Sequence, residues 1–488
     1  MTTPTRHCHG AVPLTARLEP WMQEAMSPDW LRRAVDTYGS PVNIHAVAPF
    51  QRNMARFVDV AKSRGVQLTP YFARKANKCL SFVTSARDYG WGVDTASEAE
   101  VVQAIDAGVR GGRIVCTAAI KQADMIDACI GHGAEIMLDN HDELALVAAR
   151  ARELGRRASV GLRLSGFEHE GRKLYSRFGF PVSDLPELLD TLDQMPELSF
   201  GGVHFHLNGY DSAQRSSALV ALLSHADRLR KSVGGSPYID IGGGIPMSYL
   251  EQPDQLSTFL DAHDRALAGD AEPVTFHNQG LGRRDGGAPD AYPVAQSLVQ
   301  DDWLASVLDT PAGTGTIAQA LVSSGIRLRC EPGRSALDGC GLTAARVVHR
   351  KRDSEGNWMI GLAMNRTQFR TGFQEVMVDP ILIPTGADRQ EEEMRGYLTG
   401  TYCTESEFLV LREMVFPAGV AIGDIVVFPN TAGYLMHFLE SRSHQFDLAR
   451  NVVFAGADAD PRPDGIDGAV PTSQSRTWQQ RMPQQQLV

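Results

Sequence analysis

The sequence predicts an α/β protein in which an eight-stranded β/α barrel is followed by a C-terminal β domain. Three observations support this fold class. From about residue 42 to residue 335, short apolar segments alternate with segments of helical periodicity, as repeated β/α units require. Beyond residue 336, short strand-like apolar segments follow one another, which indicates a β domain. A chain of 488 residues is also long enough for two domains.

Eight apolar segments are the strand candidates of the predicted barrel. Ser97-Glu98-Ala99-Glu100 follows the second of them and has the pattern of a capping box, while Gly108 ends the helix that begins there. Eight such units predict a TIM-type (β/α)8 barrel, with a doubly wound open sheet as the alternative. The candidates are Leu68–Arg74, Trp91–Asp94, Arg113–Thr117, Glu135–Asp139, Ser159–Leu164, Gly201–His206, Tyr238–Ile241 and Arg327–Glu331.

The predicted domain boundaries follow these changes in pattern. We expect an N-terminal segment at 1–41 that packs partly on the β domain, a barrel at 42–335 and a β domain at 336–457. An insertion at about 269–324 separates the last two barrel strands, and a loop of that length usually has a function. The tail at 458–488 is rich in Pro, Gln, Ser and Asp, so we expect it to be disordered.

Composition and charge exclude several classes of function. A net charge of -11 argues against binding to nucleic acid or to an anionic membrane. No apolar segment is long enough to span a bilayer, and the N-terminus lacks the apolar core of a signal peptide, so we expect a cytoplasmic protein. The 7 cysteines are scattered and include no Cys-x-x-Cys pair, which argues against a disulfide framework or a zinc site, and no metal is predicted.

Polar groups stand at six of the eight predicted strand ends, and in a barrel these ends meet at one mouth. A lysine amine partly removed from water can attack a carbonyl and form a Schiff base, although a solvated lysine is the alternative. Three consecutive glycines let backbone amides approach an anion, and an arginine nearby could complete a phosphate clamp; a tight turn is the alternative. Together these groups favour a phosphate-bearing cofactor. They are Lys75, Asp94, Arg163, His204-Phe205-His206, Asp240-Ile241-Gly242-Gly243-Gly244 and Glu331-Pro332-Gly333-Arg334.

Seven motifs, in chain order from about Pro41 to Phe454, resemble those of fold-type III pyridoxal-phosphate enzymes with the alanine racemase-type barrel. The resemblance is closest to the diaminopimelate and ornithine decarboxylases. The motifs are Phe72-Ala73-Arg74-Lys75-Ala76-Asn77, Asp94-Thr95-Ala96-Ser97, Ser176-Arg177-Phe178-Gly179, His204-Phe205-His206, Asp240-Ile241-Gly242-Gly243-Gly244, Glu331-Pro332-Gly333-Arg334 and Cys403.

This resemblance implies pyridoxal 5'-phosphate as the cofactor. Lys75 would form the Schiff base with it, His206 would stack on the pyridine ring, and Glu331 would pair with the ring nitrogen. Glu331 favours decarboxylation, because a carboxylate keeps the ring cationic and therefore a strong electron sink. The implied cofactor-binding residues are Lys75, Asp94, His206, Gly242, Gly243, Gly244, Glu331, Arg334 and Tyr434.

The resemblance also implies the remaining catalytic and substrate-binding residues. Cys403 would return a proton to Cα, usually from the second subunit of a homodimer, although a lone cysteine is more often a small buried hydrophobe. Arg370 would hold a distal carboxylate of the substrate, with a surface arginine as the alternative, and Glu407 would keep a carboxylate role. The implied catalytic residues are therefore Lys75, His206 and Cys403.

Two departures from the family pattern concern substrate and phosphate binding. After the ring-stacking histidine the family has a small residue and then Gly-Ser, whereas this chain has Leu207-Asn208-Gly209 and lacks the phosphate-contacting serine. Thr404 replaces an acidic residue that helps diaminopimelate enzymes to bind a substrate amine. The resemblance thus predicts intact cofactor chemistry with an altered substrate choice.

The predicted function is pyridoxal-phosphate-dependent decarboxylation of an amino acid or amino-acid derivative, through a Lys75 Schiff base and a quinonoid intermediate. An amino-acid racemase or epimerase and a non-catalytic cofactor-binding protein are the alternatives. The predicted partners are a small-molecule substrate, which could be carrier-bound, and a second copy of the chain. Diaminopimelate, a basic amino acid, a carboxylated polyamine and a carrier-bound aminoacyl group all remain open as substrates.

Overall fold

The computed structural model describes residues 7–282, 294–372, 375–387, 389 and 392–468. These residues form two compact units. The barrel unit comprises Gln51–Pro246 and Val299–Ala336, and the sheet unit comprises the described parts of Met1–Phe50, Met247–Leu298 and Leu337–Asp467.

Eight parallel strands of the barrel unit close into a barrel, which confirms the predicted fold class. Each strand pairs with the next in chain order, and the eighth pairs with the first through Leu328–Cys330 and Leu68–Pro70. Their order in space therefore equals their order in the sequence. The strands are Leu68–Ala73, Gly92–Thr95, Ile114–Cys116, Glu135–Leu138, Ala158–Ser165, Leu198–His204, Tyr238–Asp240 and Arg327–Cys330.

Helices connect these strands, and their first turns fix the loops at the C-terminal mouth of the barrel. The Ser97 hydroxyl accepts the amide of Glu100 at 3.3 Å, and the Glu100 carboxylate accepts the amide of Ala96 at 2.6 Å. Side-chain caps of this kind satisfy amides that have no partner within the helix. The helices of the unit are Leu80–Asp88, Glu98–Asp106, Ala123–His132, His141–Glu153, Leu185–Asp193, Ser212–Leu223, Ala226–Val233, Gln300–Asp309 and Ile317–Ser324, and Val47–Lys62 precedes the first barrel strand.

The sheet unit is organised around one ten-stranded sheet. Gly341–Arg352 is its longest strand and pairs with Trp358–Leu362 along one half and with Val42–His45 along the other. The helix Pro28–Tyr38 buries Trp30, Leu31, Ala34 and Val35, and the Trp30 ring lies 5.2 Å from the ring of Phe454. The remaining strands are His9–Gly10, Ile381–Ile383, Met394–Thr399, Phe408–Phe416, Ile425–Pro429, Arg450–Val453 and Arg462–Pro463, and the remaining helices are Pro20–Ala25 and Asp254–Leu267.

The compact units differ from the predicted domains at two places. Val42–His45 lies in the sheet unit because it pairs with Gly341–Arg352 and Arg450–Val453, although the sequence suggested that the barrel begins there. The predicted insertion is divided, and its later part forms two barrel-unit helices in which Trp303 is buried and donates Nε1–H to the carbonyl of Tyr210 at 2.6 Å. Part of the insertion, 283–293, lies outside the described residues.

The tail that was predicted to be disordered contains regular structure at its start. Arg462–Pro463 pairs with Val452–Val453. The Asn451 carbonyl accepts the amide of Asp464 at 2.7 Å, and the Asn451 amide donates to Asp467 at 2.7 Å. The remainder of this tail, 469–488, lies outside the described residues. Within the part of the chain that the structure describes, no helix is both long and apolar enough to cross a membrane.

Candidate active site

Lys75 lies directly after the first barrel strand, in a short turn of 3-10 helix at Arg74–Ala76. The neighbouring Arg74 is buried and anchors this turn by donating to the carbonyl of Glu100 at 2.9 Å. The Lys75 side chain is 36% exposed, and its Nζ lies 3.3 Å from Asp94 Oδ2 in the second strand. The amine is therefore both accessible from the barrel mouth and held by a carboxyl group.

Asp94 is itself held by the next strand, because the Thr117 hydroxyl donates to its Oδ1 at 2.6 Å. Burial raises the pKa of the Asp94 carboxyl, and the nearby charge of Glu331 adds to this effect, while Lys75 opposes it. A carboxyl group with a raised pKa beside an amine can exchange a proton with it near neutral pH.

Glu331 follows the eighth barrel strand and is 2% exposed. Its Oε1 lies 3.4 Å from His204 Nε2, yet neither atom has a hydrogen-bond partner among the described residues. Burial raises the pKa of the Glu331 carboxyl, although nearby lysine and arginine side chains oppose the shift. A buried carboxyl oxygen without a partner is costly, so this atom indicates a missing polar ligand.

Asp240, at the end of the seventh strand, adds a second buried carboxyl group. Its Oδ1 accepts the amide of Gly242 at 2.9 Å, and burial raises its pKa well above the usual range. One ligand atom from each of His204, Asp240 and Glu331 lies within 4.8 Å of the others, so the three could also hold a metal ion. Burial favours the neutral form of both carboxyl groups, however, and a protonated carboxyl group is a poor metal ligand.

His206 follows the sixth strand, and the Gly243 amide donates to its Nδ1 at 3.1 Å. Nδ1 is therefore an acceptor, and the proton of the neutral ring lies on Nε2. Burial and then the positive charge of Lys75 lower the pKa of His206 well below its ordinary value. His206 is thus a neutral imidazole at the barrel mouth, with its proton on Nε2.

The glycines at 242–244 are required by close packing and by backbone conformation. Gly242 and Gly244 have φ values of 66° and 76°, which favour glycine. A Cβ at Gly243 would lie 2.8 Å from the carbonyl oxygen of Glu331, and a Cβ at Gly244 would overlap the guanidinium of Arg215. Side chains are excluded from this loop, so its backbone remains open to an anion.

Arg163 lies in the fifth barrel strand, and its guanidinium stands 4.1 Å from the centre of the Phe178 ring. Its Nη1 lies 3.8 Å from Asp139 Oδ1, which also accepts the amide of Gly179 at 3.0 Å. The Ser176–Gly179 segment is therefore tied to the mouth of the barrel by Asp139 and by Arg163.

Eight of the predicted site residues thus lie at the C-terminal ends of the barrel strands. They are Lys75, Asp94, His206, Gly242, Gly243, Gly244, Glu331 and Arg334, of which Arg334 is half-buried in the turn after the eighth strand. The other four, Arg370, Cys403, Glu407 and Tyr434, belong to the sheet unit.

Cys403 is exposed, whereas the other six cysteines are buried. Its Sγ lies 3.5 Å from His444 Nε2, and the His444 ring stacks on Tyr402 at a centroid distance of 5.0 Å. Cys403 and Glu407 both line a cavity of about 850 Å³ in the sheet unit. The thiol is therefore accessible and has an imidazole beside it.

Glu407 and Arg370 are buried in the same unit. The Glu407 carboxylate accepts the amide of Arg366 at 2.9 Å, and burial raises its pKa. Arg370 is 1% exposed and donates its Nε–H to the carbonyl of Leu409 at 3.0 Å. The described contacts of Arg370 thus include a backbone carbonyl, and its role in substrate binding stays a prediction.

Tyr434 adopts a left-handed backbone conformation, with φ 72°. Its carbonyl accepts the amides of His437 and Phe438, each at 3.0 Å. A left-handed conformation costs a non-glycine residue roughly 1–3 kcal/mol, and such strain is typical of functional sites.

Comparison with known proteins identifies the family. The model of the pyridoxal-dependent decarboxylases, pyridoxal binding domain, matches residues 48–272. The "Uncharacterized protein y4yA" of Sinorhizobium fredii is 31% identical over 483 residues, which are 95% of this chain and 99% of that protein. The chain belongs to the fold-type III pyridoxal-dependent decarboxylases, a family of carboxy-lyases.

More distant members of the decarboxylase family match over part of their length. The diaminopimelate decarboxylase of Pseudomonas fluorescens is 26% identical over 254 residues, so the match covers 49% of this chain and 60% of that enzyme. The structure of diaminopimelate decarboxylase from Helicobacter pylori, complexed with L-lysine, has a TM-score of 0.66 at 18% identity and covers 89% of this chain and 95% of its own. At that identity the structural likeness shows a shared fold.

The sequence analysis did not predict three residues that contact the site at the barrel mouth. They are Thr117, Asp139 and Arg215. Thr117 and Asp139 end predicted strands, so their positions were a signal that could have found them. Arg215 lies in the helix Ser212–Leu223, where an arginine is ordinarily exposed, and only the fold shows that it is buried beside Gly244.

Proposed function

We propose that this chain is a pyridoxal-phosphate-dependent amino-acid decarboxylase whose cofactor binds at the barrel mouth. The observation that carries the proposal is Glu331 Oε1, a buried carboxyl oxygen with no hydrogen-bond partner among the described residues. A protonated pyridine nitrogen is a hydrogen-bond donor that fits such an atom. The accessible amine of Lys75 and the side-chain-free loop at 242–244 fit the aldehyde and the phosphate of the same molecule.

When bound, pyridoxal phosphate supplies an electron-accepting ring that stabilises the electron pair released as carbon dioxide leaves. Glu331 would pair with the ring nitrogen. Burial raises the pKa of this carboxyl group, and the positive charge of a protonated ring would oppose that shift and favour the carboxylate. Asp94 orients the Lys75 amine at 3.3 Å and exchanges a proton with it. His206 offers the face of a neutral imidazole, because its protonation is disfavoured at this site.

The phosphate would lie against the loop at 242–244, where side chains are excluded, and Arg334 and Tyr434 would also hold it. The amides of Gly242 and Gly243 donate to Asp240 and His206 and so fix the conformation of this loop. The family resemblance supports these roles. It also supports a homodimer in which Cys403 returns the proton to Cα, and the exposure of its thiol is consistent with that role.

The substrate is proposed to be an amino acid or amino-acid derivative. The structure of diaminopimelate decarboxylase from Helicobacter pylori is a complex with L-lysine, and that of lysine/ornithine decarboxylase from Vibrio vulnificus is a complex with putrescine. Thr404 in place of the family's acidic residue favours a substrate other than diaminopimelate.

Reconstitution with the cofactor tests the proposal. The purified protein should turn yellow with pyridoxal phosphate, and borohydride reduction should fix the cofactor on the peptide that contains Lys75. Lys75→Ala should abolish both signals, whereas Lys62→Ala, at an exposed position at the end of the helix Val47–Lys62, serves as the matched control. An unmodified Lys75 peptide after reduction would refute the proposal.

Activity is then measured as carbon dioxide release from a panel of amino acids. Incubation in deuterated water, followed by chiral analysis of the unconsumed substrate, separates a decarboxylase from a racemase. Loss of configuration without carbon dioxide release would favour the racemase.

A further inference from the structure

We infer that Arg215 is a second cation for the cofactor phosphate, acting from the buried side of the glycine loop at 242–244. The inference rests on the proposed function and adds to it a residue that the family motifs do not contain. Arg215 is a positioning residue, because it reaches the phosphate site through the backbone of Gly244 rather than by direct contact.

The first observation is the burial of an arginine without an acidic partner. Arg215 is 0% exposed, and within the described part of the chain no carboxylate forms an ion pair with it. Its Nε has no hydrogen-bond partner there either. A buried charge is disfavoured unless other groups compensate it. The carbonyls of Asp211, Leu207 and Gly209 accept from this guanidinium, and an anion near the loop would add a full opposite charge.

The second observation is the position of its charge. A Cβ placed on Gly244 would overlap Arg215 Nη2, so the guanidinium lies directly against the last glycine of the loop. The positive charge thus supports the backbone that is proposed to cradle the phosphate. Burial lowers the pKa of Arg215 to about 10, and the group therefore remains charged at neutral pH.

The third observation concerns the serine that this chain lacks. The family's phosphate-contacting serine corresponds to Gly209, which has a φ of 80°, a conformation that disfavours serine. The carbonyls of Gly209 and Leu207 instead accept hydrogen bonds from Arg215 Nη2 at 2.6 and 2.7 Å. The turn after His206 therefore replaces a neutral hydroxyl donor by a buried cation.

The ligand recognised in this way is a phosphate monoester, which carries about -1.5 to -2 charges at neutral pH. A cation in surroundings of low dielectric attracts such a group over a longer distance than it would in water. Pyridoxal has the same ring and aldehyde as pyridoxal phosphate but no phosphate. The contribution of Arg215 should therefore appear in the ratio of the two dissociation constants.

The experiment compares both ligands on three proteins: the full-length wild type, Arg215→Gln and Arg215→Lys. Absorbance of the Lys75 adduct gives the two dissociation constants, and circular dichroism checks the fold. Arg215→Gln should weaken pyridoxal phosphate by about tenfold or more and pyridoxal by less than about twofold, since only a charge-assisted interaction is lost. Arg215→Lys should preserve the ratio.

A purely structural role predicts a different result. If Arg215 only holds the carbonyls of Leu207 and Gly209, Arg215→Gln should weaken both ligands by the same factor, and that outcome would overturn the inference. Failure of the wild type to bind either ligand would instead refute the proposed function.

A second variant keeps the test decisive if Arg215→Gln does not fold. Arg334→Gln removes the predicted arginine of the phosphate clamp and leaves Arg215 in place. Pyridoxal phosphate should still bind more tightly than pyridoxal to this variant. Equal affinities for the two ligands would show that Arg215 contributes nothing to phosphate binding.

Discussion

At the barrel mouth, Asp94, His204 and Glu331 are almost fully buried, whereas Cys403 and its neighbours Thr404 and Glu405 in the sheet unit are exposed. The barrel groups stand at the ends of paired strands, and their pKa values are shifted by burial and by one another. The Cys403 segment is a loop between two strands. Cofactor chemistry therefore lies on a rigid scaffold, while the predicted proton donor lies on a surface that can vary with substrate.

The largest expected effect is a loss of turnover on substitution of the buried Glu331 at the barrel mouth. Glu331→Gln should lower kcat by about 100-fold or more while the protein still binds pyridoxal phosphate, because an amide cannot hold a proton at the ring nitrogen. Steady-state kinetics and visible absorbance measure the two quantities. Glu187→Gln, on an exposed helix position, is the control. Unchanged kcat would show that the buried carboxyl group has no catalytic role.

The Cys403 region should respond with a smaller effect that spares the cofactor. Cys403→Ala should lower turnover by about tenfold to 100-fold with little change in cofactor affinity, because protonation at Cα becomes slow. Alkylation of the native protein should modify Cys403 before the six buried cysteines, as mass spectrometry would show. Cys79→Ala is the buried control. If Cys403→Ala lowered cofactor affinity as much as turnover, Cys403 would not be specific to the protonation step.

The buried carboxyl groups also predict a pH dependence of the cofactor-free protein. The folded-state pKa of Asp240 is raised by burial, so the folded protein binds more protons than the unfolded chain between the two pKa values. The contribution of Asp240 to stability is therefore complete below its unfolded pKa and declines as the pH rises toward the folded value.

Asp240→Asn should remove this decline, because an asparagine side chain does not titrate. Its side-chain oxygen can still accept the Gly242 amide. At neutral pH we expect the melting temperature of the cofactor-free protein to rise by about 2–4 °C. Melting curves of both proteins at several pH values measure the difference. A wild-type protein whose stability rises with pH to the same extent as that of the variant would refute the assignment.

The smallest effect is expected for Arg370 in the sheet unit, where a structural role and a role in substrate binding predict different results. Its burial and its bond to the Leu409 carbonyl favour a structural effect of Arg370→Lys, with a loss of about 1–2 kcal/mol in the free energy of unfolding. The Michaelis constants for dicarboxylic and basic amino acids should then change alike. A selective increase for dicarboxylic substrates would instead support the predicted contact with a distal carboxylate.

The order of the barrel strands and the residues at their ends could be predicted from the sequence, because both depend on local patterns. All eight predicted segments overlap the observed strands, and Lys75, Asp94 and Glu331 lie at or next to the ends of their strands as expected. The strand Val42–His45 was assigned to the wrong unit, since its apolar character fits either sheet and only pairing decides between them.

The sequence by itself therefore determined the barrel, the Lys75 amine and the Glu331 carboxyl group. Apolar periodicity and the polar residues at strand ends can both be recognised in short stretches of consecutive residues. Only the tertiary structure decided that Glu331 Oε1 has no hydrogen-bond partner in the described part of the chain and that Arg215 is buried against Gly244. Burial and electrostatic environment arise from residues far apart in the chain, so no local pattern contains them.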